Sequence, residues 1–297
     1  MIFAVVSYSE EEQRVLSFLR YQHTSTGYKK LSTGNANKLL AEHWPEYLYY
    51  SRERDVNLHG VPRQRIVSHH RPRKRLREIM QHDHNDEIER KLCSLLDLFV
   101  AHGLRVQDIG VTGSLLIGAQ NRHSDIDLVF YRREAFFKAR AAIRQLLADG
   151  TLQTLDPALW KDAYERRGCS LTFEEFLWHE QRKFNKAAIE HTKFDISLLA
   201  GAQRATPSHY RKHGSITLES RLTEDRYSFD YPARYGLAHP SIKEVVSYTA
   251  TYAGQARKGE MIEVQGQLEI SAQGQQRIVV GTDREAPGEF IKVLTAE

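Results

Sequence analysis

The stretch DIGVTGSLLIGAQNRHSDIDLVFY, residues 108–131, restricts the fold of this chain more than any other. It reads as a strand, a glycine turn, a short helix and a second strand. Asp125 and Asp127 are two apart on that second strand, so both side chains emerge on one face, while Ile126, Leu128 and Phe130 fill the other. Strands exclude adjacent like charges unless something compensates them. A divalent cation compensates, and Mg²⁺ favours one or two protein carboxylates together with water and substrate phosphates. Upstream, Gly113 permits close approach by a phosphate, and Ser114 adds a hydroxyl at the start of the short helix. A triphosphate carrying magnesium needs both features together.

A third acid completes the pattern. Asp195 is isolated between Phe194 and Ile196 in the strand-like run KFDISLL. If that run lies beside SDIDLV, three carboxylates can hold two Mg²⁺ ions, with Mn²⁺ as the alternative, and Asp195 becomes a general-base candidate. Lys193 shares its strand face. The preceding run LTFEEFLWHEQRKFNKAAIEH opens with a capping-box pattern, Thr172 and Glu175, and reads as one long helix. On it Arg182 and Lys186 are four apart and share a face, which fits phosphate contact and equally fits a solvated surface.

These residues resemble the nucleotidyltransferase superfamily that includes DNA polymerase beta, poly(A) polymerases and CCA-adding enzymes. Gly113 and Ser114 match its Gly-Ser pair, Asp125 and Asp127 its first two carboxylates, and Asp195 its third. The superfamily match covers roughly residues 88–199. The whole chain is also similar to archaeal-type proteins with a polymerase-beta-like nucleotidyltransferase domain, in VTGSLLIG and RKFNKAAIEHTKFDI among other stretches. The resemblance implies a Mg²⁺-dependent enzyme that binds an NTP and transfers a nucleoside monophosphate to a hydroxyl, releasing pyrophosphate. The spacing of Asp127 and Asp195 is wider than in small members, and the flanks have no counterpart in the familiar polymerases.

Those flanks define the expected organisation, an α+β chain of three parts. A small N-terminal α+β module spans 1–77, the nucleotidyltransferase domain 78–200, and a C-terminal β-rich module of small-barrel type 201–297. The net charge of the 297 residues is only +4. Most of the positive excess lies in the first module, where 14 basic side chains face 7 acidic ones. Residues 63–77, RQRIVSHHRPRKRLR, hold seven Arg or Lys and no acid, a pattern that can track a phosphate backbone. Tyr248, Tyr252 and Phe290 are candidate stacking groups in the last module. Nucleic acid such as an RNA end is therefore the expected acceptor. A protein or small-molecule hydroxyl is the alternative, and a binding module without catalysis the third reading.

Two cysteines, Cys93 and Cys169, exclude a disulfide framework and a four-thiolate zinc site, and fit a reducing compartment such as the cytoplasm. His69, His70, His82 and His84 lack structural-zinc spacing. No apolar run approaches the roughly 20 residues of a membrane-spanning helix, so no membrane partner is expected.

Overall fold

The computed structural model describes residues 1–25, 27–82, 86–201, 209–281 and 287–294, without the side chains of 7–9; His84 lies outside this set. The architecture is mixed α+β, with a small N-terminal sheet and helix region and a larger C-terminal β-sheet.

In the first region, β1 (Ile2–Glu11) and β2 (Arg14–Thr24) form the expected hairpin. Its two turn residues, Glu12 and Gln13, take φ values of 48° and 59°, the left-handed pair that matches the twist of the strands. β3 (Gly27–Lys30) pairs with β2, placing Lys30 opposite Tyr21. The helix α1 (Thr33–His43) starts where Ser32 Oγ accepts from the Asn35 N–H and stops before Pro45. β4 (Leu48–Ser51) and β5 (Val56–Pro62) complete a sheet in the order β1-β2-β5-β4.

The helix α2 (Pro72–Met80) contains the expected boundary at 77, and its buried Leu76 and Ile79 belong to the central core. α3 (Glu87–Ala101), capped by Asp86, buries Ile88, Leu92, Leu95, Leu96 and Phe99 at the anticipated spacing. β6 (Ile109–Val111), α4 (Gly113–Leu116), β7 (Ile126–Phe130) and α5 (Arg133–Ala148) follow. Ile126, Leu128 and Phe130 join Phe99, Phe136 and Ile143 in that core, which commits the other face of β7 to Asp127. α6 (Pro157–Arg167) and α7 (Phe173–Gln181) then turn toward the C-terminal region, sharing a second core through Trp160 and Phe176.

The long helix expected after Thr172 is a correction. α7 ends at Gln181, Phe184 adopts φ 50°, and β8 (Lys186–Ile189) pairs antiparallel with β9 (Thr192–Leu198). The Lys183 ammonium is drawn inside onto Glu180 and the Thr251 carbonyl, and sheet pairing of β8 overrides local helix propensity. Arg182 and Lys186 therefore do not share a helical face. The central sheet runs β6-β7-β9-β8, with β7 and β9 parallel.

The C-terminal sheet contains β10 (Tyr210–Glu224), β11 (Ala233–Leu237), β12 (Ile242–Ser247), β13 (Met261–Ser271), β14 (Gln276–Val280) and β15 (Phe290–Val293). Its order is β10-β11-β12-β14-β13-β15. β12 and β14 are parallel, and β13 also pairs with β10 from Tyr210 to Arg221. Tyr252, expected as a stacking group, is instead core. It is 2% exposed, and its hydroxyl donates to the Glu289 carbonyl at 2.9 Å.

Candidate active site

The end of β6 is tied to β7 by the Thr112 N–H, which donates to the Asp127 carbonyl at 2.8 Å. The chain then turns at Gly113, with φ 64°. A methyl group at that position would lie 2.1 Å from Asp127 Oδ2, so Gly113 packs directly on this carboxylate, with Ser114 following it in α4. Only glycine meets both demands. The next turn is closed by its own polar groups: Asn121 N–H donates to Ser124 Oγ at 3.0 Å and Ser124 N–H to the Asn121 carbonyl at 2.8 Å. Asp125 follows this turn, one residue ahead of β7 rather than within it.

Asp127 and Asp195 are directly paired in the parallel register of β7 and β9. Lys186 is the antiparallel partner of Asp195 on β8. Lys193, nearly buried, places Nζ 3.1 Å from both Asp125 Oδ2 and Asp195 Oδ2. Lys186 Nζ lies 3.9 Å from Asp195 Oδ1, and Arg166 Nη1 on α6 lies 4.0 Å from Asp125 Oδ2. The segment separations that the sequence leaves open thus close into one cluster: Gly113, Asp125, Asp127, Asp195 and Lys186, with Ser114 next to Gly113 in the chain. Arg182 is excluded from it, because its guanidinium pairs with Glu260 and stacks 4.3 Å over the Trp178 ring.

Electrostatics follow from this crowding. Burial pushes the Asp127 carboxyl up to about 6, and the charges of Asp195 and Asp125 push in the same direction. Burial works against the Lys193 ammonium, but Asp195 and Asp125 outweigh it and hold it above its ordinary range. Burial likewise works against the Glu180 carboxylate, yet Lys183 and Lys186 outweigh it and hold the group well below its ordinary range. Glu180 accepts from Lys183 at 2.5 Å and from Lys186, fixing the Lys186 stem beside Asp195.

Among the described residues, no group of three or more His, Cys, Asp or Glu is arranged to hold a metal ion. The lysine ammonium between Asp125 and Asp195 supplies positive charge where a cation would otherwise be needed. Asp195 Oδ1 is buried with no hydrogen-bond partner.

The N-terminal sheet adds groups that sequence reasoning missed. Burial lowers the Lys30 ammonium, Arg20 adds to this, and the charges of Asp127 and Asp125 oppose it. Tyr21 is raised by burial and feels Asp127 as well. Lys30 and Tyr21, opposite one another on β3 and β2, are therefore within reach of the Asp127 charge. No local pattern marks these residues, because only packing between regions brings them there. A neighbouring cavity of about 210 Å³ joins Phe18, Arg54, Arg167, Tyr231 and Tyr248. Arg54 stacks 4.1 Å over the Tyr248 ring, and its Nε is buried without a partner. The basic run at 63–77 is divided: Arg75 pairs with Glu89 at 2.7 Å, whereas residues 63–71 are exposed.

Among the described residues, no helix is long and apolar enough to cross a membrane. No family model matches the chain. It is similar along nearly its full length to a protein of Methanocaldococcus jannaschii, uncharacterized protein MJ1086. The two are 35% identical over 324 aligned residues, which cover 99% of this chain and 95% of the relative.

Proposed function

The chain belongs to the family of the M. jannaschii protein MJ1086, and from that premise and the site geometry we propose that it is a metal-dependent nucleotidyltransferase of the polymerase-beta type. It transfers a nucleoside monophosphate from an NTP to an acceptor hydroxyl on nucleic acid, such as an RNA end. The observation that carries this reading is the direct pairing of Asp127 with Asp195, beside Asp125 and under the Gly113 corner.

The acceptor oxygen attacks the α-phosphorus while the bond to the β-phosphate bridging oxygen breaks, and pyrophosphate leaves. Asp195, with a buried carboxylate oxygen that has no hydrogen-bond partner, accepts the hydroxyl proton. Gly113 leaves room for the triphosphate against the Asp127 carboxylate. Lys193, Lys186 and Lys30 bring positive charge to the growing negative charge of the leaving group. Bound Mg²⁺ or Mn²⁺, held by Asp125, Asp127 and Asp195, would neutralise the phosphates and lower the cost of ionising the hydroxyl.

The nucleic-acid acceptor is supported by the C-terminal strands. The order β10-β11-β12-β14-β13, with β13 returning to β10, describes a ring of five strands that we read as a small barrel of oligonucleotide-binding type. The test is transfer of label from each of the four NTPs, labelled at the α-phosphate, to RNA, protein and small-molecule fractions. Mg²⁺-dependent labelling of RNA is expected, with loss in an Asp125→Asn, Asp127→Asn double variant. Equal labelling by that variant refutes the mechanism, and labelling of protein alone refutes the acceptor.

A further inference from the structure

On the helix side of the central sheet, away from the carboxylates, a cavity of about 590 Å³ lies between α5 and two loops of the C-terminal region. One face of α5 lines it with Phe137, Arg140 and Arg144, at helical spacing. The loop between β10 and β11 contributes Arg226 and Phe229, and the segment before β13 contributes Arg257. Phe184 completes the lining. Asp225 is the one acid in the lining, and the Arg257 guanidinium donates to the Arg182 carbonyl at 3.0 Å.

The guanidiniums and rings are interleaved rather than separate. Arg140 lies 4.0 Å over the Phe229 ring, and Arg144 lies 5.5 Å over Phe184. Arg140 Nε also donates to the Lys183 carbonyl at 2.6 Å, which fixes the corner where Phe184 is held at φ 50°. Gly254 packs against Phe229 so closely that an added methyl would sit 2.0 Å from the ring. The wall is thus built for flat groups and for negative charge. Arg144, Arg226 and Arg257 are exposed, so a ligand can reach them.

We propose that this groove binds a single-stranded nucleic-acid segment, with phosphates on the guanidiniums and bases on Phe137 and Phe184. Arginines interleaved with aromatic rings suit a flexible strand, whose phosphates and base faces are both available. A duplex hides its base faces and does not suit the groove. The first-to-second-strand loop is also a binding loop in small oligonucleotide-binding barrels, and here it is the loop that carries Arg226 and Phe229. Phe184 is two residues from Lys186, the β8 partner of Asp195. This inference deepens the nucleotidyltransferase reading by placing its acceptor, but the binding itself needs no turnover.

Fluorescence anisotropy with a labelled single-stranded RNA of about twelve nucleotides tests it in the full chain. Two variants are informative, each with its melting temperature measured as a fold control. Arg144→Glu with Arg226→Glu removes two phosphate contacts, and affinity is expected to fall by more than about tenfold with a shallower salt dependence. Phe184→Gly removes a ring while suiting the left-handed backbone, and about a tenfold loss is expected without loss of stability. Unchanged binding in both variants overturns the proposal, as does tighter binding of a duplex of the same length. Label transfer from an NTP labelled at the α-phosphate to the same single-stranded RNA is read in parallel. Its absence in the wild type, with groove-dependent RNA binding intact, defeats the enzymatic reading alone. Its presence, with variants that bind RNA normally, defeats the groove alone.

Discussion

Asp127 and Asp195 stand opposite one another on the parallel strands β7 and β9, although 68 residues separate them in the chain. Their proximity costs stability. Burial and the neighbouring acids raise the Asp127 carboxyl to about 6, so between its ordinary range and that value the folded state holds a proton that the unfolded state releases. Stability therefore falls as pH rises through this window, by roughly 2–3 kcal/mol in full.

Asp127→Asn removes that cost. The variant should melt a few degrees above wild type at pH 7.5 in the absence of divalent ions, with the gap closing below pH 4, while nucleotidyl transfer is lost. Thermal unfolding at both pH values checks this; identical melting curves at pH 7.5 would show that the acids do not repel in the folded protein.

Gly113→Ala forces a choice between the new methyl and Asp127 Oδ2, 2.1 Å away. The carboxylate is the end of a side chain and can rotate away, so the fold should lose only about 1–2 kcal/mol, mostly from the φ of 64°. Activity should fall by about a hundredfold or more, because the displaced group is a proposed metal ligand. Comparing denaturant midpoints with transfer rates separates the two effects.

Lys193→Met leaves Asp125 and Asp195 without the ammonium that sits 3.1 Å from each. Removing one partner from a buried cluster costs about 3 kcal/mol. Millimolar Mg²⁺ should restore part of that loss, so the rise in melting temperature on adding Mg²⁺ should be larger for the variant than for wild type. Equal shifts would mean that the ion does not reach these carboxylates.

His179 gives a pH dependence remote from the site. Its Nδ1–H donates to the Glu175 carbonyl at 2.6 Å and its Nε2 accepts from the Val293 N–H at 3.0 Å, so the neutral ring joins α7 to β15. Burial lowers it to about 4. Between about pH 6.5 and 4 the unfolded chain takes up a proton that the folded one refuses, so stability declines by up to about 3 kcal/mol as pH falls. His179→Gln, which cannot titrate, should flatten that part of the stability profile measured by urea unfolding.

Local patterns carried the parts of this fold that are themselves local. The alternation in SDIDLVFY places Asp127 opposite a buried apolar face, and the spacing in α3 marks its core stripe. Lys186 was legible as a basic residue near Asp195 but not as a strand residue, because the partner that extends β8 is β9 and not its own neighbours. Arg182 reads as free phosphate-binding charge only while Glu260, far along the chain, is out of view. Lys30, Tyr21 and the arginines around Phe184 carry no local signal at all, since packing between regions creates their surroundings. The return of β13 to β10 is likewise a long-range pairing that short strand patterns do not encode.

The most direct measurement is anomalous diffraction from crystals soaked with Mn²⁺ and an NTP analogue that cannot be cleaved between its α- and β-phosphates. The account predicts a manganese peak within about 2.3 Å of oxygens from both Asp127 and Asp195, with the triphosphate against the Gly113 corner. Manganese and triphosphate bound only elsewhere, with the nearest peak more than about 5 Å from both carboxylates, would contradict it.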